Sequence, residues 1–254
     1  MADSSSSTSS STSTFSDVIS ISTWSASQVA SHKNPGAVIA AIWTKKPVGV
    51  ICLFQRVEFS VLFHHKEKDY ERGTTNDIVT LSRMGNEFGI GEKRSGCLVT
   101  WDSDVFNYVG DVQPGFTTTT NEVIGTPIVI LQHRASGKIL KVASVLTFTL
   151  QGQRNLKAMC VEADQKKFSN FAHIIGGDFD MASDRMKWAS GTHFPMKLVG
   201  DPNLITCTTT PPQMRSFWFL INSKLEFVEE QVKFEFDNGT KSPYGMVTMT
   251  VKLQ

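Results

Sequence analysis

The sequence predicts a layered α/β sandwich, with two β-sheets facing each other and helices outside. Three observations carry that prediction. Short apolar, β-branched runs recur along the chain between turn signals; helical periodicity shows in few places; and several neighbouring runs are joined by hairpin-length polar turns. A chain of 254 residues with 40% hydrophobic content is long enough to bury one sizeable core, so a single large domain is expected.

Residues 1 to 15 are almost all serine and threonine and form an expected disordered tail ahead of a domain spanning 16–254. Asp17 to Trp24 alternates and is β-branched, which predicts the first strand. Asn34-Pro35 before Ala37 to Trp43 supplies a cap and a first-turn proline for a short helix. Val48 to Phe54 is a strand; Val57 to Tyr70 has near-helical spacing. His64-His65 within it are sequence neighbours that face different ways in any regular element, which argues against paired metal ligation.

Cys97 to Trp101 and Val105 to Val109 flank the polar Asp102-Ser103-Asp104 and read as a hairpin. Pro127 to Gln132 and Ile139 to Leu150 read as strands joined by the turn His133 to Lys138. Leu156, Met159, Cys160, Ala163 and Phe168 recur at helical spacing over Gln153 to Phe168. Residues 181 to 214 carry turn signals and weak periodicity, so they are expected to be mainly loop. Phe217 to Ile221, Glu226 to Phe236 and Gly245 to Leu253 are three closing strands.

Formal net charge is +1, so no global field advertises a polyanionic partner. Cys52, Cys97, Cys160 and Cys207 are widely spaced without a CxxC pair and read as buried reduced thiols. No apolar run reaches the roughly 18–20 residues of a membrane span, and the amino-terminal stretch lacks secretory or transit features. The expectation is a cytoplasmic or nuclear protein without a membrane partner. Asn238-Gly239-Thr240 then reads as a turn rather than a glycosylation acceptor.

The chemically richest stretch runs from Ala172 to Asp180. Its apolar residues end in Gly176-Gly177 and then Asp178, the pattern of a buried strand delivering a carboxylate to a sheet edge. A divalent-metal phosphodiesterase presents an acid in this way. An Asp-x-Asp pair also arises where loop carboxylates cap the next segment, and the two readings stay open on these residues alone.

Seven words in order extend that pattern: ISISTW at 19–24, VICLFQRVE at 50–58, SGCLVTWDSDVFNYVG at 95–110, PIVILQHRASGKILKVASVL at 127–146, IIGGDFD at 174–180, RSFWFLINSKLEFVEEQV at 215–232 and SPYGMVTMTVKL at 242–253. Together they resemble the endonuclease/exonuclease/phosphatase superfamily, in particular its deadenylase and nocturnin branch. The resemblance covers about Val18 to Leu253. It implies a DNase I-like, four-layered α/β sandwich, two facing mixed β-sheets flanked by helices. Members hydrolyse phosphodiester or phosphate bonds with magnesium held by a glutamate, assisted by Asp and His side chains.

Carried over residue by residue, the resemblance implies a depleted site. The position after the first strand's Trp is Ser25 instead of asparagine. The magnesium glutamate falls on Gln55 or Arg56, depending on a one-residue gap, and Glu58 lies further along. Thr149 replaces a histidine, Phe217 an aspartate, and Pro243-Tyr244 the final Asp-His pair. Asp178 is unchanged, and Asp180 stands where the family has asparagine.

A glutamate changed to glutamine loses the charge that recruits Mg²⁺, and a tyrosine with pKa near 10 does not replace a histidine base. The expected function is a catalytically inactive homologue, a binding or scaffold module linked to RNA turnover, without a cofactor. The alternative is a Mg²⁺-dependent phosphodiesterase or exoribonuclease rebuilt on Asp178 and Asp180, with Glu58 or Asp102 contributing.

Expected cleft contacts are Ser25, Gln55 or Arg56, Thr149, Asp178, Asp180, Trp218 and Tyr244. Their partner would be RNA, a nucleotide or a protein. Trp218 or Tyr244 would stack a base, although the run FWFLI, apolar throughout, favours Trp218 as ordinary core. Segments 64–95 and 181–214 are short for loops that grip a nucleotide chain, which weighs against RNA.

Overall fold

The computed structural model describes residues 17–25, 49–58, 78–84, 95–102, 104–112, 128–147, 150–162, 166–179, 195–208, 215–235 and 241–254. In chain order these form β1 (Val18–Ser25), β2 (Ile51–Glu58), β3 (Ile78–Met84), β4 (Ser95–Asp102), β5 (Phe106–Asp111), β6 (Ile128–His133) and β7 (Ile139–Leu146). Then follow the helix α1 (Leu150–Glu162), β8 (Ala172–Asp178), β9 (Met196–Val199), β10 (Phe217–Asn222), β11 (Leu225–Glu235) and β12 (Lys241–Leu253).

The strands make two six-stranded mixed sheets, in spatial order β11-β12-β1-β2-β4-β3 and β5-β6-β7-β8-β10-β9. Started at β11 and continued through β1, the first sheet has the same plan as the second. Two antiparallel pairings come first, then one parallel pairing, then two antiparallel ones, with the last two strands interchanged. The parallel pairs β1/β2 and β7/β8 therefore lie at the centre of each sheet, and all four of these strands are covered on both sides by neighbours.

Alternation along the strands assigns the faces. Ile19, Ile21, Leu53, Val99, Trp101, Val142, Ile174, Phe219, Met249 and Val251 meet in the layer between the sheets, all buried. A side chain of that size, fully buried, stabilises by about 1.5–3 kcal/mol. Odd-even partners on β6, β7, β8 and β10 point outward. There Ile128, Ala143, Val145, Ile175 and Leu220 pack under Leu156, Met159 and Cys160 of α1, forming a second core. The helix is held by that one face rather than by end charges, since its first turn has no acid and its last no base.

Several expectations are corrected. The segments either side of Asp102 are not a hairpin: β4 belongs to the first sheet and β5 to the second. Trp101 and Phe106 both enter the inter-sheet core, so the turn carries the chain across the sandwich instead of back along the same sheet. Asp102 shapes that turn, its carboxylate accepting the Asp104 N–H at 2.9 Å. The helix starts at Leu150 and ends at Glu162, whereas Phe168 sits in a turn over the outer face of the second sheet, 4.2 Å below the Lys141 ammonium. Met196–Val199, inside the expected loop, pairs as an edge strand with β10. The expected helix at 37–43, most of 57–70 and the tail at 1–15 lie outside the described residues; Val57 and Glu58 belong to β2. Among the described residues no helix is long and apolar enough to cross a membrane.

Candidate functional site: the polar end of the inter-sheet layer

The layer between the sheets changes character along its length. On β1 the inward positions run Ile19, Ile21, Thr23, Ser25; on β2 Ile51, Leu53, Gln55; on β7 Leu140, Val142, Ser144; on β8 Ala172, Ile174, Gly176, Asp178. The antiparallel β4 contributes Trp101, Val99 and then Cys97. The carboxyl ends of the two parallel pairs thus bring their polar residues to one end of the sandwich. Open mixed sheets place sites at such ends because the strands leave there and the backbone is free to present side chains. Asp102 lies at the other, apolar end, since its neighbour Trp101 pairs with Ile51 at the start of β2.

Gln55 is the polar residue among the inward positions of β2. It pairs in register with Ser25 and is fully buried. Its Nε2 donates to the Leu53 carbonyl at 3.1 Å and to Ser144 Oγ at 3.0 Å, and its Oε1 accepts from Thr23 Oγ1 at 3.2 Å. Ser144 in turn donates to the Phe54 carbonyl at 3.0 Å. These bonds stitch β1, β2 and β7 together across the two sheets.

Asp178 closes the strand opposite. It pairs with Leu146 on one side and Phe217 on the other, and its carbonyl accepts the Thr147 N–H at 3.0 Å. Phe179 continues the clamp by donating its N–H to Ser216 O at 2.9 Å, and its own carbonyl accepts from Thr147 Oγ1 at 2.6 Å. The two glycines before it have separate duties. A Cβ on Gly176 would sit 2.6 Å from Leu53 Cδ1 and 2.7 Å from Phe219 Cδ1, so that glycine sets the sheet spacing. Gly177, at φ 156°, lets the β7 backbone close in: a Cβ there would collide with the Val145 carbonyl. The Asp178 side chain is 1% exposed. Cys97 is near enough to feel its charge. Burial pushes the Cys97 thiol up to about 12, a hydrogen bond with Ser144 opposes the shift, and the field of Asp178 adds to it.

Of the other expected residues, Ser25 is buried at the end of β1. Tyr244 is half-buried at the same end, its ring edge-on to Phe217 at 6.1 Å and its carbonyl accepting the Trp24 indole N–H at 2.9 Å. Trp218 is not part of the cleft. Its strand neighbours Phe217 and Phe219 face inward, so Trp218 faces the helix-side core, where it is buried beneath the Arg215 guanidinium at 4.2 Å and is in no position to stack a base between the sheets. Arg56 and Glu58 lie in β2 with side chains outside the described residues; Thr149 and Asp180 lie outside them altogether.

One feature at this end was not anticipated. Arg215, 3% exposed, holds Glu230 of β11 through two 2.8 Å bonds and also donates to the Phe217 and Asp201 carbonyls. It joins the edge of one sheet to the edge of the other. The only sequence signal was an arginine immediately preceding an apolar strand.

Mg²⁺ asks for several oxygen ligands, carboxylates foremost. The polar end offers Asp178 and an amide whose nitrogen faces the second sheet and whose oxygen already accepts from Thr23. Among the described residues no three His, Cys, Asp or Glu side chains cluster as a cation site. The described donors are thus one carboxylate and one engaged amide; the side chains of Arg56, Glu58, Thr149 and Asp180 lie outside the described residues.

Comparison with solved structures fixes the architecture. An endonuclease/exonuclease/phosphatase from Bacteroides vulgatus superposes with TM-score 0.70 at 9% identity, covering 93% of this chain and 99% of that one. The chain has the endonuclease/exonuclease/phosphatase fold. The human Nocturnin catalytic domain, solved with a bound sulfate anion, matches at TM-score 0.66 and 12% identity over 93% of this chain and 94% of its own. ANGEL2, a 2′,3′-cyclic phosphatase, matches at 0.67 and 12%, over 93% and 95%. No protein-family profile matches the sequence, and no curated protein matches it in sequence. Coverage above nine-tenths on both sides means the likeness is to the whole fold, including both sheets.

Proposed function

We propose that this chain is a non-catalytic member of the endonuclease/exonuclease/phosphatase fold, acting as a binding or scaffold module connected with RNA turnover. The observation that carries the reading is Gln55. At one of the two β2 positions, Gln55 or Arg56, where the resemblance puts the metal-binding glutamate stands an uncharged amide, fully buried and committed at both ends to hydrogen bonds within the protein. A carboxylate would lack the protons that satisfy Leu53 O and Ser144, so the surroundings favour the amide as it is.

Protein partners fit better than a nucleotide. Among the described residues Ser25, Gln55 and Asp178 are each at most 1% exposed, so these three polar side chains are closed to a small ligand. The connection with RNA turnover and a cytoplasmic or nuclear location belong to the same proposal and rest on the resemblance to the nocturnin branch. Retention of Asp178 supports the competing reading, a Mg²⁺-dependent phosphodiesterase rebuilt around Asp178 and Asp180.

The two separate in one assay. Purified protein is incubated with 5′-labelled oligo(A) RNA in Mg²⁺, Mn²⁺ or EDTA, beside an Asp178→Asn variant, and binding is followed by fluorescence anisotropy. The expected result is no cleavage and no saturable RNA binding. Metal-dependent cleavage that the variant loses overturns the proposal.

A further inference from the structure

At the opposite, apolar end of the sandwich, the β6–β7 turn gathers a cluster that the cleft does not use. His133 is buried, whereas Arg134, Ala135 and Ser136 are exposed. The turn is closed by His133 N–H to Lys138 O at 2.9 Å and Gly137 N–H to His133 O at 2.8 Å, with Gly137 at φ 69°. Lys138 reaches out of the second sheet to the first, donating to the Asp17 carboxylate and to the Leu253 carbonyl, both at 3.0 Å. It thereby ties the turn to the start of β1 and the end of β12.

Ser136 sits inside this clamp. Its Oγ lies 2.8 Å from His133 Nδ1. Lys138 first, and Ser136 after it, hold the Asp17 carboxyl below its usual range, which puts the hydroxyl beside the Lys138–Asp17 pair. The hydroxyl therefore borders the tie between turn and β1, and the residue is on the surface.

We propose that Ser136 is a phosphoacceptor site for a protein kinase that reads basic residues on both sides of its target, here Arg134 two positions before and Lys138 two positions after. The γ-phosphorus of ATP forms a bond to Ser136 Oγ as its bond to the β–γ bridging oxygen breaks; ADP leaves with that electron pair, and the hydroxyl proton passes to the kinase base. The product puts close to two negative charges beside the Asp17 carboxylate. Lys138 is left to serve the phosphate, Asp17 and Leu253 O together. The consequence is a weakened tie between the two sheets at this end, a covalent switch remote from the cleft.

The experiment uses the full chain, ATP and protein kinase C, with phosphate located by mass spectrometry and stability read by differential scanning fluorimetry. Wild type is expected to take up phosphate on Ser136, Arg134→Ala to do so at least fivefold more slowly, and Ser136→Ala not at that position. The phosphorylated protein is expected to melt several degrees lower, and phosphatase treatment to restore the original midpoint. An unstructured peptide of residues 130–142 controls for recognition. If the peptide is modified but the folded protein is not, or if phosphate on Ser136 leaves the midpoint unchanged, the proposal is overturned; phosphate found only at other positions overturns it as well.

Discussion

Replacing Gln55 by glutamate tests the cleft with the smallest possible change in shape. The amide nitrogen donates two bonds, at 3.1 Å to Leu53 O and 3.0 Å to Ser144 Oγ, and the variant loses both donors at a fully buried position. Each such bond contributes about 0.5–1.5 kcal/mol net, and an orphaned buried acceptor adds about 1–3 kcal/mol. Ser144 is able to turn its hydroxyl toward the new carboxylate, which recovers part of one bond, so Gln55→Glu is expected to cost about 2–4 kcal/mol. For a chain of this size that corresponds to a melting-point drop of about 4–16 °C. Burial raises the pKa of the introduced carboxyl, so the folded state holds its proton to higher pH than the unfolded chain does. The loss is therefore smallest below about pH 4.3 and deepens as pH rises. Scanning calorimetry of wild type and variant, at pH 4 to 8 and with or without Mg²⁺, reads all of this. Wild type is expected to show no Mg²⁺-dependent shift. A variant as stable as wild type would refute the locked-amide reasoning, as would a wild type that Mg²⁺ stabilises by the roughly 2.7 kcal/mol of a site filled at a hundred times its Kd.

Three further outcomes are expected. Gly177→Ala, which sets a Cβ against the Val145 carbonyl at φ 156°, should be more damaging than Gly176→Ala, where the obstacles are the movable ends of Leu53 and Phe219; overpacking of the second kind costs about 1–3 kcal/mol, and chemical denaturation of the two variants ranks them. Arg215→Ala leaves the Glu230 carboxylate buried with the Asp201 N–H as its remaining donor and should cost about 3–5 kcal/mol, while Arg215→Ala combined with Glu230→Gln recovers part of the loss in a double-mutant cycle. Burial depresses the His133 pKa below 6.5, against the smaller opposing pull of Asp17; the stability from keeping the ring neutral is thus complete above pH 6.5 and fades as pH falls through the depressed value. A His133→Asn variant should have a flatter stability profile between pH 7 and 5.

Thiol chemistry provides a test that bears on the core alone. Cys52 and Cys97 are pushed up to about 12 by burial, and Cys160 is raised by the same cause, so none offers a thiolate at pH 8. Native protein is expected to react with a disulfide reagent far more slowly than unfolded protein, which should titrate all four cysteines; rapid labelling of Cys52 or Cys97 in the native state would contradict the packing.

Strands were readable where an apolar or β-branched run stands between turn signals, whether one face is buried or, as in β10, both. β1, β6, β10 and β12 match the expectations at 17–24, 127–132, 217–221 and 245–253, whereas the run expected as strand over 139–150 is strand only to Leu146, with the helix beginning at Leu150. What sequence did not supply was the partner of each strand. Asp102-Ser103-Asp104 looks the same whether the chain doubles back or crosses to the other sheet, because the Asx turn is a local device and the choice is made by Trp101 and Phe106 entering a shared core. β9 was missed because an edge strand of four residues has too few positions to show a period.

The cleft divides along the same line. Alternation from Ile51 and Leu53 places Gln55 on the inner face, where it bonds to Ser144, while the ladder with β4 shifts register between Phe54 and Val57, so the period does not carry across Arg56. Trp218 follows the same rule to the opposite result. Its neighbours Phe217 and Phe219 face the inter-sheet core, and a period of two sends the tryptophan to the helix side, away from Asp178. A motif names residue types, and the pleat decides which of them share a space. Among the described residues the pleat gathers Thr23, Ser25, Gln55, Ser144 and Asp178 at one end. Thr23 donates to Gln55, and Ser144 accepts from Gln55 while donating to the Phe54 carbonyl, so these three side chains are turned toward one another across the two sheets. That mutual bonding is the physical ground on which the proposal reads this end as a structural joint between the sheets.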